Sequence, residues 1–181
     1  MNHRTTVPAL KQVLLKRGYS CRSGISYVSF VFDLVASRVV RHLGMLGEQS
    51  SASESHARKP TTVFEESLFI VAGFDICDTE LLTQFTAACT TFGREHVRAP
   101  KRQTTCFFFP VAIVQRTTKD ALNTIRSQEP LIGKHNTLTF PVILHASSGR
   151  LCHSRFENIT GEDCIWKPIG RIVTEVFRNG A

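Results

Sequence analysis

What this 181-residue chain lacks narrows the field before anything it contains does. No apolar run approaches the ~18 residues that a membrane-spanning helix needs. The longest, Cys106 to Val114, is interrupted by Pro110 and reads as a buried strand. None of the six cysteines forms a C-x-x-C pair, so zinc-knuckle spacing is missing. There is no phosphate-cradling P-loop motif, and no G-x-S-x-G to support a hydrolase elbow. Of the seven histidines, His42, His56, His96, His135, His145 and His153 are scattered without ligand spacing at i, i+4. An apolar secretory segment is also missing, so a reducing compartment is expected, and the Asn158-Ile159-Thr160 sequon is chance. Cys77, Cys89 and Cys106 fall in or beside apolar segments and read as buried free thiols.

What is present is ordinary in amount and uneven in place. Apolar residues make up 42% and charged residues 20%, enough for one domain with an appendage and a sizeable core. The net charge of +7 is concentrated in the first quarter. Residues 1–47 carry seven basic side chains (Arg4, Lys11, Lys16, Arg17, Arg22, Arg38 and Arg41) against the single acid Asp33, whereas the rest is nearly balanced. Such asymmetry points to a polyanion partner, to a targeting segment, or to a solvated basic helix face. Residues 1–32 hold five positive charges and no acid, the composition of a mitochondrial presequence, and Arg17-Gly18-Tyr19-Ser20 resembles a cleavage context. The segment runs unbroken into a strand, so a structural N-terminus in a cytoplasmic protein is expected, with the mitochondrial presequence as the alternative.

Periodicity sets out the elements. Thr6 caps a helix with Pro8 in its first turn; Leu10, Val13, Leu14 and Arg17 follow at helical spacing until Gly18. Ile25 to Ala36 alternates as one strand, with Phe30, Phe32 and Leu34 on one face and Val31, Asp33 and Val35 on the other; Val39 to Leu46 returns as a second. Residues 48–62 are polar, Ser-rich and aperiodic, and read as a flexible linker or long loop between 1–47 and 63–181. Leu68 to Phe74 is a short buried strand. Asp78 caps a helix carrying Leu81, Leu82, Phe85, Cys89 and Phe92, which Gly93 ends. After a basic loop come the strand from Cys106 to Val114, a helix over 119–127, a strand over 138–144, a hairpin partner over 151–154 and an amphipathic helix opened by Pro168. Phe109-Pro110-Val111 and Phe140-Pro141-Val142 occupy equivalent places in two strands, each expected at a strand start, bulge or edge. The fold class is therefore α/β, a mixed sheet flanked by helices.

The first six elements run α, β, β, β, α, β, and Leu14-Leu15-Lys16-Arg17-Gly18-Tyr19 precedes a strand containing Phe32-Asp33-Leu34-Val35-Ala36. In order and in local sequence this resembles the restriction-endonuclease-like, or PD-(D/E)xK, nuclease superfamily, here with an αββα extension. The resemblance implies that Asp33 binds a catalytic Mg²⁺, and that the next strand supplies a carboxylate with a lysine two residues on. Glu48-Gln49-Ser50 holds the nearest slot, with serine in place of lysine, and no Glu-x-Lys occurs anywhere in the chain. The candidate metal ligands are thus Asp33 and Glu48, without an electrophilic partner. On the residues alone, Asp33 is expected to be a salt-bridge partner of Arg22, Arg38 or Arg41, or exposed on a half-open sheet face, ahead of a metal ligand. His145 and His153 would face each other across a hairpin beside Cys152, and Gly133-Lys134-His135-Asn136 is a further anion-binding candidate.

Three functions follow. One is nucleic-acid-associated binding, with Arg17, Arg22, Arg41, Arg94, Arg98, Lys101 and Arg102 contacting phosphates and chemistry degenerate. A second is an interaction or structural subunit whose basic N-terminus targets or packs. A third is an active Mg²⁺-dependent nuclease with a migrated lysine.

Overall fold

The computed structural model describes residues 3–44, 61–98, 104–127, 131–133 and 137–154, together with 172, 173, 176 and 177. The first helix, α1 (His3–Lys16), starts ahead of Thr6, so Pro8 lies inside it and forgoes the one backbone bond to the carbonyl four residues back. It stops as the sequence requires. Gly18 adopts φ +79, its N–H reaches the Leu15 carbonyl at 3.0 Å, and the Tyr19 N–H reaches that of Leu14 at 3.0 Å. This is a Schellman closure, which needs a residue without a Cβ in the left-handed region.

The stretch read as one strand from Ile25 to Ala36 is three pieces. After β1 (Ser20–Arg22), a separate hairpin forms from β2 (Ile25–Tyr27) and β3 (Phe30–Phe32), and the chain then bends at Asp33 into β4 (Leu34–Gly44). The bend shifts the alternation. Phe32 and Val35 face one core, while Leu34 and Ala36 face the other. Residues 39–44 continue β4 rather than returning; β4 pairs antiparallel with β1 and, along its length, with β5 (Thr61–Cys77), 17 residues long. Thr61 and Thr62 thus belong to a strand rather than to the expected linker, whose remaining positions lie outside the described residues.

Asp78 caps α2 (Thr79–His96), accepting from the Leu81 N–H at 2.8 Å. Gly93 does not end this helix. It is buried inside it, where a Cβ would sit 2.8 Å from the Phe108 ring. The missing side chain sets how closely helix and sheet approach. There follow β6 (Thr104–Thr117), α3 (Lys119–Ser127), β7 (Leu131–Gly133), β8 (Thr137–Thr139), β9 (Val142–His145) and β10 (Leu151–His153).

Eight strands make one mixed sheet in the order β1-β4-β5-β6-β8-β7, with β9 also on β6 and β10 on β9. Strands β5, β6 and β8–β9 are mutually parallel; β4 runs against β5. Between α1 and α2 the chain forms five strands rather than the expected three, with β1, β4 and β5 in the main sheet and the β2–β3 hairpin apart from it. Helix α1 and the helical residues Ile172, Val173, Val176 and Phe177 cover one face, packing on Phe69, Phe109 and Phe140. Helices α2 and α3 and the hairpin cover the other, over Phe32, Ile70 and Phe108. The free thiols of Cys77, Cys89, Cys106 and Cys152 are all buried on this second face.

Pro141 lies at the break between β8 and β9, as its missing donor demands, but Pro110 lies inside the central strand β6. The Phe140 N–H donates to the Phe108 carbonyl at 2.8 Å and the Ala146 N–H to that of Val114 at 2.9 Å. Even-numbered residues of β6 therefore present their polar groups toward β8–β9. The donor that Pro110 lacks falls at the level of Phe140 and Pro141, where the ladder is already interrupted.

Candidate functional site

Asp33 sits at the bend between β3 and β4 rather than in mid-strand, and its Oδ2 accepts the Gly73 N–H of β5 at 2.8 Å. A carboxylate beside a buried sheet needs such a donor. Leu34 pairs with Val71, so the stretch of β5 beside Asp33 is Ala72-Gly73-Phe74. It supplies neither a carboxylate nor a lysine. The expectation placed the second ligand at Glu48 because residues 39–46 were read as a returning strand; the neighbour of Asp33 is instead β5. Glu48 itself lies outside the described residues. Among the described residues no group of three or more His, Cys, Asp or Glu side chains can hold a metal ion. Among the described residues, the neighbours of Asp33 on β5 do not complete a magnesium centre.

His145 and His153 do not meet. His153 pairs with Val142 and Cys152 with Ile143, so the register sends the two imidazoles to opposite faces of the sheet. His145 lies 3.2 Å from the Thr117 hydroxyl, and burial, aided by Arg150, holds its pKa below the ordinary imidazole value. The ring of His153 lies 2.7 Å from the Ser154 carbonyl. Residues 134–136 are outside the described residues.

The basic side chains separate into three places. Arg41 pairs with Phe64, and both lie in phase with Val35 and Ile70 on the α2 face. Two residues on from Phe64, still on that face, Glu66 is buried at 1% exposure and its Oε2 accepts the Arg98 N–H at 2.9 Å. Arg94 stands in the last turn of α2, and Arg98 follows the C-cap Val97. Arg41 of β4, Arg94 of α2 and Arg98 just past the end of α2 thus lie toward the amino ends of β5 and β6, and all three are exposed. Lys101 and Arg102 lie outside the described residues. Arg22 pairs with Val35, six residues from Arg41 along β4 and so roughly 20 Å away. Arg17 lies across the sheet, on the α1 face, where Arg17, Arg38 and Glu65 surround buried Tyr19. Burial pushes the Tyr19 hydroxyl up, against a hydrogen bond with Ser67 and the charge of Arg38, whose guanidinium carbon sits 5.9 Å from the ring centroid.

Glu66 is the residue that the sequence reading passed over. Its signal was available: Phe64, Glu66, Leu68, Ile70 and Ala72 repeat every second position, so an acid lies in phase with an apolar face. The buried carboxylate also acts on its neighbour across the ladder. Burial and then Glu66 push the Cys106 thiol up to about 11. That thiol is protonated and unreactive at neutral pH.

Among the described residues no helix is long and apolar enough to cross a membrane. No protein-family model, curated protein or solved structure matches the chain.

Proposed function

We propose that this protein binds nucleic acid through the amino-end edge of its sheet and does not cleave it, as a nuclease-like module whose metal chemistry has been lost. The observation that carries the reading is the gathering of Arg41, Arg94 and Arg98 on one face at one end of the sheet. Three exposed arginines with fixed backbone positions suit a phosphate backbone, since a guanidinium is a planar, permanently charged group. Support for lost chemistry comes from Asp33, which takes the Gly73 amide and borders Ala72, Gly73 and Phe74 where the family pattern wants a carboxylate and a lysine. Of the seven basic residues expected at phosphates, the reading keeps Arg41, Arg94 and Arg98 and sets aside Arg17 and Arg22.

Fluorescence anisotropy of labelled single-stranded and duplex oligonucleotides, from low to moderate salt, tests this reading. The expected result is binding whose logarithm falls linearly with the logarithm of salt, each phosphate contact contributing about one to the slope. No binding at low ionic strength, or salt-independent binding, overturns it. Mg²⁺-dependent cleavage abolished by Asp33→Asn would return the active-nuclease reading.

A further inference from the structure

We infer that Glu66 is a positioning residue for the nucleic-acid edge: its buried carboxylate holds the chain where it leaves α2, so that Arg98 and Arg94 stand beside Arg41. This rests on the binding reading and deepens it.

A carboxylate at 1% exposure is costly unless donors compensate it. An apolar residue in phase with Leu68 and Ile70 would fill the same space without that cost. What the carboxylate adds is a directed acceptor. Helix α2 ends at His96, Val97 is its C-cap with φ −58 and ψ 126, and Arg98 is the next residue. Its N–H lies beyond the helical ladder and finds its acceptor in Glu66, on β5. The bond ties the chain just past α2 to β5 at the level of Val39, two residues along β4 from Arg41. Glu66 lies between Val39 on one side and Cys106 on the other, so the carboxylate is held by the sheet and holds the segment.

The direction of the expected effect separates positioning from charge. An acid beside three arginines opposes a polyanion, so removing it should strengthen binding if charge were all that mattered. A positioning role requires the opposite.

The test compares wild type with Glu66→Gln, Glu66→Leu and Glu66→Asp, using anisotropy with a labelled oligonucleotide and hydrogen exchange at the Arg98 amide. Arg94→Ala serves as the reference for a direct contact. Glu66→Gln keeps an acceptor at the same reach and should retain both affinity and amide protection. Glu66→Leu removes the acceptor and should lose affinity severalfold, lower the salt slope by about one, and expose the amide. Glu66→Asp keeps the charge but is one methylene short. It should also lose affinity, and it carries the test if the leucine variant fails to fold. Tighter binding by the leucine variant, or unchanged affinity and slope in a folded leucine or aspartate variant, overturns the positioning role alone, provided Arg94→Ala weakens binding. Wild-type protein that binds no oligonucleotide overturns the reading beneath it, and the positioning role with it.

Discussion

The two ends of the parallel strands use the same chemistry for different purposes. Toward the carboxyl end, Asp33 accepts the Gly73 amide at 2.8 Å; toward the amino end, Glu66 accepts the Arg98 amide at 2.9 Å. Both are carboxylates meeting backbone N–H groups across a tertiary contact. Asp33 joins two strands beside small and apolar neighbours, whereas Glu66 joins the sheet to a chain exit among arginines. A buried or half-buried acid therefore says little by itself. What its hydrogen bond fastens, and what stands beside the fastened segment, decides whether it can serve binding.

The contrast can be broken most directly by charge. Arg41→Glu combined with Arg94→Glu should lower the salt slope of oligonucleotide binding by about two and reduce affinity by well over tenfold. Arg22→Glu, at the other end of β4, should leave the slope unchanged. Equal losses from the two would mean that the edge is no more a site than the rest of the basic surface.

Stability should show the reverse pattern. Asp33→Ala leaves the Gly73 amide without its charged acceptor and should cost about 1.5–3 kcal/mol in chemical denaturation, with oligonucleotide affinity retained in the folded protein. Mg²⁺ should leave the melting temperature of the wild type unchanged. Metal-dependent stabilisation that Asp33→Asn abolishes would contradict the division between the two ends.

Gly93 sharpens the comparison from the helix side. A Cβ there meets the Phe108 ring at 2.8 Å, so Gly93→Ala should overpack the interface by about 1–3 kcal/mol, offset by the roughly 1 kcal/mol that alanine gains in a helix. The net loss should shrink in a Phe108→Leu background and should weaken binding, because Arg94 follows Gly93 directly.

The smallest effect belongs to His145. Its folded pKa is depressed, so the unfolded chain binds the proton more readily than the native one. Its contribution to stability is therefore present above the ordinary imidazole pKa of about 6.5 and is lost as pH falls through the folded value. A His145→Gln variant should show a flatter melting temperature between about pH 5 and 7. A profile parallel to that of wild type would remove the effect.

Much of the fold was legible because its punctuation is local. The limits of α3, the Asp78 cap, the Gly18 stop and the 151–153 hairpin each depend on residues within one turn of themselves. The bend at Asp33 was not legible. Phe30 to Ala36 alternates without a flaw, and only the handover from one core to the other shows that the phase has moved. The amino half of β5 was missed because Glu65, Glu66 and Ser67 dilute its apolar character, while burial between β4 and β6 overrides composition. The candidate site suffered for the same reason, since Glu66 lies in that half. Arg41 and Arg98 are 57 positions apart, and only the β4–β5 register together with the Glu66–Arg98 bond brings them to one end of the sheet.

The paired prolines act as an alignment key. The apolar run of β6, Cys106 to Val114, repeats so evenly that sliding it two residues along β8–β9 would keep every side chain on its proper face. Hydrophobic pattern alone does not separate those alignments. In the native one, Pro110 and Pro141 lie level, between the stretch of β8 covered by β7 and the stretch of β9 covered by β10. Their two missing donors thus fall at a single level of the sheet. Any slip would set Pro110 within an intact ladder and leave an additional carbonyl unanswered, so the two prolines distinguish one registration from its near copies.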